Sequence, residues 1–204
     1  LDDLGNAYWQ LKDFEKGREK YLEKLSKFPE SSFWARERIA RDDFNRLNKP
    51  EEALEILLPA QGLTKSENDL NHIFQVYFIL ARLYNYFGDY DNAERYARLT
   101  LESVTEKNKA NWEIPIAHVI LALNYGRQKK FDLAASEIKK ADSVRGSMDA
   151  YNCFLASAFY RGENYTKAIL IAEKALSTDN EFKIYCIAVL SNSYTAQGDT
   201  VKAK

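Results

Sequence analysis

The sequence predicts an all-α fold, a solenoid of stacked antiparallel helical hairpins, and three observations predict it. A Gly-Asp turn set between aromatics recurs: "YNYFGDYDNAERYA" at 84–97 has a near copy in "YTAQGDTVKA" at 194–203. A small residue just after that turn recurs six times, at Gly17, Ala53, Ala93, Ala134, Ala168 and Ala203, with spacings of 36, 40, 41, 34 and 35. An aromatic stands nine residues before each of them: Tyr8, Phe44, Tyr84, Tyr125, Phe159 and Tyr194. Self-similarity at such a period marks stacked supersecondary units, none of which can bury its apolar face alone.

The hairpins follow in order, with boundaries at 1–30, 33–62, 73–105, 114–146, 149–180 and 184–204. The first opens on "LDDLGNAYWQL", already inside a helical pattern, with Leu4-Gly5 before Tyr8, Phe14 opening its second helix and Pro29 closing it. The second is the least regular, with Ala40-Arg41 in place of the apolar-small pair and Pro50 where an aromatic belongs. Its "NKPEEALEILL" still reads as a helix start, with Pro in the first turn and acids near the N-terminus. The third carries Leu80-Ala81, Tyr84 and Tyr90. Its Gly88 tolerates the positive φ that ends one helix, and Asp89 caps the next. The fourth has Leu121-Ala122, Phe131 and Ala141, and the fifth has Leu155-Ala156, Tyr165 and Ala175. The sixth repeats the turn with Leu190-Ser191, Gly198 and Asp199. Small residues let helix axes approach closely while the aromatic fills the wedge where they diverge. The two longest spacings place their excess at "PAQGLTKSEND" (59–69) and "TEKNKANWEIP" (105–115), where longer helices joined by short loops are expected. The first and last hairpins are expected to be cut short.

Composition narrows the function classes. With 204 residues, 46% hydrophobic and 13% aromatic, the chain can bury a real core. Its 29 Lys+Arg and 30 Asp+Glu are interspersed, for a net charge of -1, so no basic footprint for nucleic acid or an anionic membrane is present. The apolar run "IPIAHVILAL" at 114–123 is too short to span a bilayer. Cys153 and Cys186 fit neither a metal knuckle nor a redox CxxC. They read as buried free thiols, which inclines the compartment to the cytoplasm, against a disulfide between neighbouring helices, which would imply export. His72 and His118 stand in different hairpins without clustered ligands, and His118 falls on a packing position. Paired acids such as Asp42-Asp43 read as solvated helix faces. No catalytic residue, cofactor or metal site is expected.

The pattern of Leu-Gly/Ala, aromatic, second aromatic, Ala, later Ala and terminal Pro resembles the tetratricopeptide repeats over nearly the whole chain. Departures are the early Trp, replaced by Leu1, Glu37, Tyr77, His118, Asn152 and Ile187, and the irregular second hairpin. The resemblance implies a right-handed solenoid whose first helices line a concave groove that holds an extended peptide or a partner helix. It implies a non-catalytic scaffold, or alternatively a sensory or regulatory segment of a longer bacterial signalling or transcription-regulatory protein. Its groove-lining offsets include Arg46, Phe78, Arg82, Asn85, Tyr86, Arg127, Tyr160 and Arg161. Arg46, Arg127 and Arg161 share one offset, two residues after the aligned aromatic. Stacking would make them a basic ladder for a protein or peptide partner with acidic or aromatic side chains, with Phe78, Tyr86 and Tyr160 as apolar shelves. The plainer alternative is that arginines near helix C-termini answer the helix dipole and stay wet. The oligomeric state is left open.

Overall fold

A computed structural model describes residues 2–29, 33–62, 67–104, 111–145, 151–177, 182–199 and 201–203, with side chains from Asp3 on and without those of 62 and 67–72. The described residues are all-α. They form α1 (Asp2–Gln10), α2 (Phe14–Lys27), α3 (Phe33–Asn45), α4 (Pro50–Leu57), a 3-10 turn (Leu58–Gly62), α5 (Glu67–Phe87), α6 (Tyr90–Glu102), α7 (Glu113–Arg127), α8 (Phe131–Arg145), α9 (Asn152–Arg161), α10 (Tyr165–Leu176) and α11 (Lys183–Ala196). None of these helices is long and apolar enough to cross a membrane.

Two compact units divide the chain, Leu1–Asn108 and Lys109–Lys204. In the first, α1 pairs with α2, α3 with α4 and α5 with α6, while α2 and α5 both pack on α3. In the second, α7 pairs with α8 and α9 with α10; α9 also packs on α7, and α11 packs on α9 and α10. The longer spacing before Ala93 is taken up by a 21-residue α5. Of the segment 105–115, residues 105–110 lie outside the described residues.

The turns repeat more closely than the sequence does. Five places before each small residue stands a residue with left-handed backbone: Lys12 (φ 59°), Asn48 (53°), Gly88 (79°), Lys129 (58°), Glu163 (64°) and Gly198 (81°). In five turns the next N–H donates back to the carbonyl of the aligned aromatic: Asp13 to Tyr8, Asp89 to Tyr84, Lys130 to Tyr125, Asn164 to Phe159 and Asp199 to Tyr194, all at 2.9–3.0 Å. This bond reaches back over the last helical turn, so an otherwise orphaned carbonyl is satisfied as the chain reverses. The second hairpin turns more widely, with the Lys49 N–H reaching Asp43 O at 2.8 Å. In three of the turns the residue after the left-handed one caps the helix that follows, α2, α6 or α10. The side chains of Asp13, Asp89, Asn164 and Asp199 accept from the N–H groups of Lys16, Asn92, Lys167 and Lys202 at 3.1–3.3 Å.

Small residues buried at the expected offsets let the helices close up. Ala53, Ala81, Ala93, Ala122, Ala134, Ala156 and Ala168 are each fully enclosed. A β-carbon on Gly5 would sit 2.5 Å from the Tyr21 ring, and one on Gly126 would overlap the backbone of Ala158. In the first unit Tyr21, Leu25, Ala35 and Ile39 form one core, with Trp34 edge-on to Tyr21 at 5.3 Å. In the second, Phe159 stacks on Phe131 at 4.5 Å, within and beside a core of Cys153, Ala156, Ala168, Ala172, Ala175, Cys186 and Val189.

The free-thiol reading of the cysteines is corrected here. Cys153 on α9 and Cys186 on α11 form a disulfide, with Cα atoms 4.8 Å apart. Their sequence separation of 33 is close to one repeat, so the period itself lays one first helix beside the next and brings the two positions together.

Candidate functional site

In the first unit, a surface forms where α5 lies against α3. Arg82 on α5 donates from Nη2 to Asn45 Oδ1 on α3 at 2.9 Å. Its guanidinium lies 4.9 Å from the Phe44 ring centroid and 5.7 Å from that of Phe78, both within cation–π range. Tyr86, one helical turn on, is 60% exposed and stands edge-on to Phe44 at 5.7 Å and to Phe87 at 5.4 Å. Asn85 is half-buried beside them. Together these residues make an aromatic platform with one cation held on it.

Two of the expected contact residues are placed differently. Phe78 is 1% exposed, so it belongs to the core beneath Arg82 and cannot serve as a shelf. Arg46 is spent within the fold: it donates to Asp42 Oδ1 at 2.7 Å and lies 5.0 Å from the Phe14 ring and 5.4 Å from Trp9. Arg38 stacks on Trp9 at 3.9 Å and approaches Asp42 Oδ2 at 3.6 Å. The role of Trp9 and Phe14 as platforms for arginines from the next hairpin was not legible, because cation and ring stand on different hairpins. Phe44 was read only as a packing aromatic, although it supports both Arg82 and Tyr86.

The reading of Asp42-Asp43 as a solvated face is also corrected. Asp42 is 2% exposed and Asp43 is fully buried. Burial pushes both carboxyls above the usual aspartate range, opposed at Asp42 by Arg38 and Arg46 and at Asp43 by Arg18, whose Nε donates to Asp43 Oδ1 at 2.6 Å. An ion pair so enclosed costs desolvation, and losing one partner would leave the other charge stranded. Arg18 lies on α2, so the pair fixes the first hairpin against the second.

In the second unit the expected contact residues are Arg127 at the end of α7, and Tyr160 and Arg161 at the end of α9. All three are half-buried. Gly126 and Gly162 beside the arginines allow the helix ends to meet, a β-carbon on Gly162 falling 2.5 Å from Gly126 O. Tyr160 packs against Tyr165 at 5.7 Å. The two turns are further joined by an exposed Lys129–Glu163 pair at 2.9 Å.

His118 has the structural role expected of it. Its Nδ1 lies 2.7 Å from Glu137 Oε2, and Lys140 Nζ lies 2.7 Å from Glu137 Oε1. Burial pushes the Glu137 carboxyl up, but the His118 and Lys140 hydrogen bonds outweigh it and hold the group below the usual glutamate range. The His72 side chain lies outside the described residues. Among the described residues no three His, Cys, Asp or Glu side chains gather as a metal ion would require.

The family model of the tetratricopeptide repeat matches residues 74–102, which span most of α5 and all of α6. This supports the resemblance read from the repeat pattern, and repeats of that family generally mediate protein–protein contacts. No curated protein matches the chain.

Proposed function

We propose that the chain is a non-catalytic interaction scaffold that takes a peptide or partner segment on the α3–α5 surface. The observation that carries this reading is the exposed Tyr86 set edge-on to Phe44 beside Arg82. A large aromatic left 60% in solvent next to a held guanidinium offers apolar area and a charge-assisted donor at one point. A segment pairing a carboxylate with an aliphatic or aromatic side chain meets both demands. Arg82 is already positioned by Asn45 and Phe44, so little side-chain entropy is lost on binding. In the second unit Arg127, Tyr160 and Arg161, half-buried at the ends of α7 and α9, are proposed as a further set of contacts. Arg46 supports the fold and takes no direct part.

The test is capture of the partner from the source cell, followed by titration of purified partner against Tyr86→Ala, Arg82→Glu and, as control, Lys139→Leu. The first two should each weaken binding about tenfold or more, from roughly 1–3 kcal/mol for a charge-assisted contact. The Arg82 effect should also shrink as salt rises. Unchanged affinity in both variants sinks the assignment of this surface.

A further inference from the structure

Cys153 and Cys186 have no exposed surface and sit among Ala156, Phe159, Ala172 and Val189. Val119 in α7 occupies the repeat offset of Cys153, and Tyr151 occupies that of Cys186, so each sulfur stands where the preceding hairpin uses ordinary apolar packing. The helix they anchor packs on α9 and α10 but buries few side chains completely. Its buried residues are Cys186, Val189 and Ser193, while Ile184, Tyr185 and Ile187 stand 72, 49 and 57% exposed. Phe182 and Leu190 add half-buried contact with the same core.

We propose that the chain acquires the Cys153–Cys186 bond in a thiol-oxidising compartment, before α11 seats on α9, and then keeps it as a permanent staple. The chemistry is thiol–disulfide exchange. The thiolate of one cysteine attacks a disulfide of an exchange protein, releasing one of that protein's sulfurs as thiolate. The second cysteine then displaces the other, so the chain loses two protons and two electrons and the exchange protein leaves as its dithiol. Once α11 is seated, neither sulfur can be reached by such a protein, which fixes the order: oxidation first, docking second. The same enclosure bars a reducing dithiol afterwards, so the bond does not cycle. Disulfides persist in secreted, periplasmic and cell-surface settings, which replaces the cytoplasmic leaning drawn from the free-thiol reading. The proposal is independent of the α3–α5 contact surface.

The test begins with protein isolated from its source cells, acid-quenched and treated with a maleimide in denaturant. Without reduction neither cysteine should take label, and after dithiothreitol in denaturant both should. Two labels on unreduced protein overturn the proposal. Native protein in dithiothreitol should be reduced at least about tenfold more slowly than denatured protein, since opening of α11 must come first. Equal rates overturn permanence. In the Cys153→Ser/Cys186→Ser variant, amides of 183–196 should exchange at least about tenfold faster while those of α9 and α10 keep their protection. Unchanged protection of α11 removes the staple role. Should that variant fail to fold, the two labelling experiments on the natural chain decide alone.

Discussion

Four of the six turns impose a left-handed backbone on a residue that carries a β-carbon, at a cost of about 1–2 kcal/mol for an ordinary side chain. Glu163→Gly should therefore stabilise the second unit by about 0.5–1 kcal/mol, the relief of strain being offset in part by glycine's larger chain entropy. Gly88→Ala should cost about 1–2 kcal/mol at the same offset of another hairpin. Denaturant titration of the two variants checks this, and a loss for Glu163→Gly would mean that its exposed pair with Lys129 outweighs the strain, against the small value expected of such pairs. At this scale the sequence was half readable. Gly88 and Gly198 announced their turns, and Asp89 and Asp199 their caps. Lys12, Asn48, Lys129 and Glu163 adopt the same geometry because the following N–H must return to a helix carbonyl, a demand of the fold and not of residue type. Asp42 and Asp43 misled for a related reason, since Arg18, which neutralises Asp43, lies one hairpin away.

Whole helices are placed by their small residues, and those offsets were legible throughout. Gly126 marks the closest approach, where a β-carbon would overlap the Ala158 backbone. Gly126→Ala should thus separate α7 from α9 and cost about 1–3 kcal/mol, as should Ala156→Leu in the fully enclosed core. Lys139→Leu, on the exposed side of α8, should be near neutral. Equal effects of the three would remove the helix-contact argument. The candidate surface was less legible than the helices that carry it. Periodicity marks which residues lie on one face of a helix, so Arg82, Asn85 and Tyr86 were expected on one surface, where they stand. Phe78 shares that periodicity yet turns into the core, because the guanidinium of Arg82 covers it. The disulfide was weighed only as the alternative to free thiols although its spacing of one repeat was in view, since the preceding hairpins place Val119 and Tyr151 at those offsets as ordinary apolar packing.

Across the molecule, the buried carboxyls of the two units should answer acid in opposite senses. In the second, the Glu137 carboxyl is lowered, so its contribution is full above the unfolded value near 4.3 and is lost as pH falls through its folded pKa. In the first, Asp42 and Asp43 are raised. Their contribution is full below the unfolded value near 3.9 and is lost as pH rises through their folded pKa values. Amide exchange followed unit by unit from pH 7 to pH 4 should show Glu137→Gln flattening the acid limb of the second unit alone. An unchanged acid limb would mean that the His118–Glu137 contact contributes nothing. The bridge between α9 and α11 also sets how the chain bears tension. A pull on residues beyond Cys186 passes through sulfur straight into α9, so the intervening chain, all of α10 included, carries no load. With a separation of 33 residues and about 3.3–3.6 Å of reach for each, about 110–120 Å of contour is withheld from extension. Under force that stretch acts as a short inextensible link, whereas a hairpin of the first unit, once unfolded, can lengthen to the full reach of its backbone.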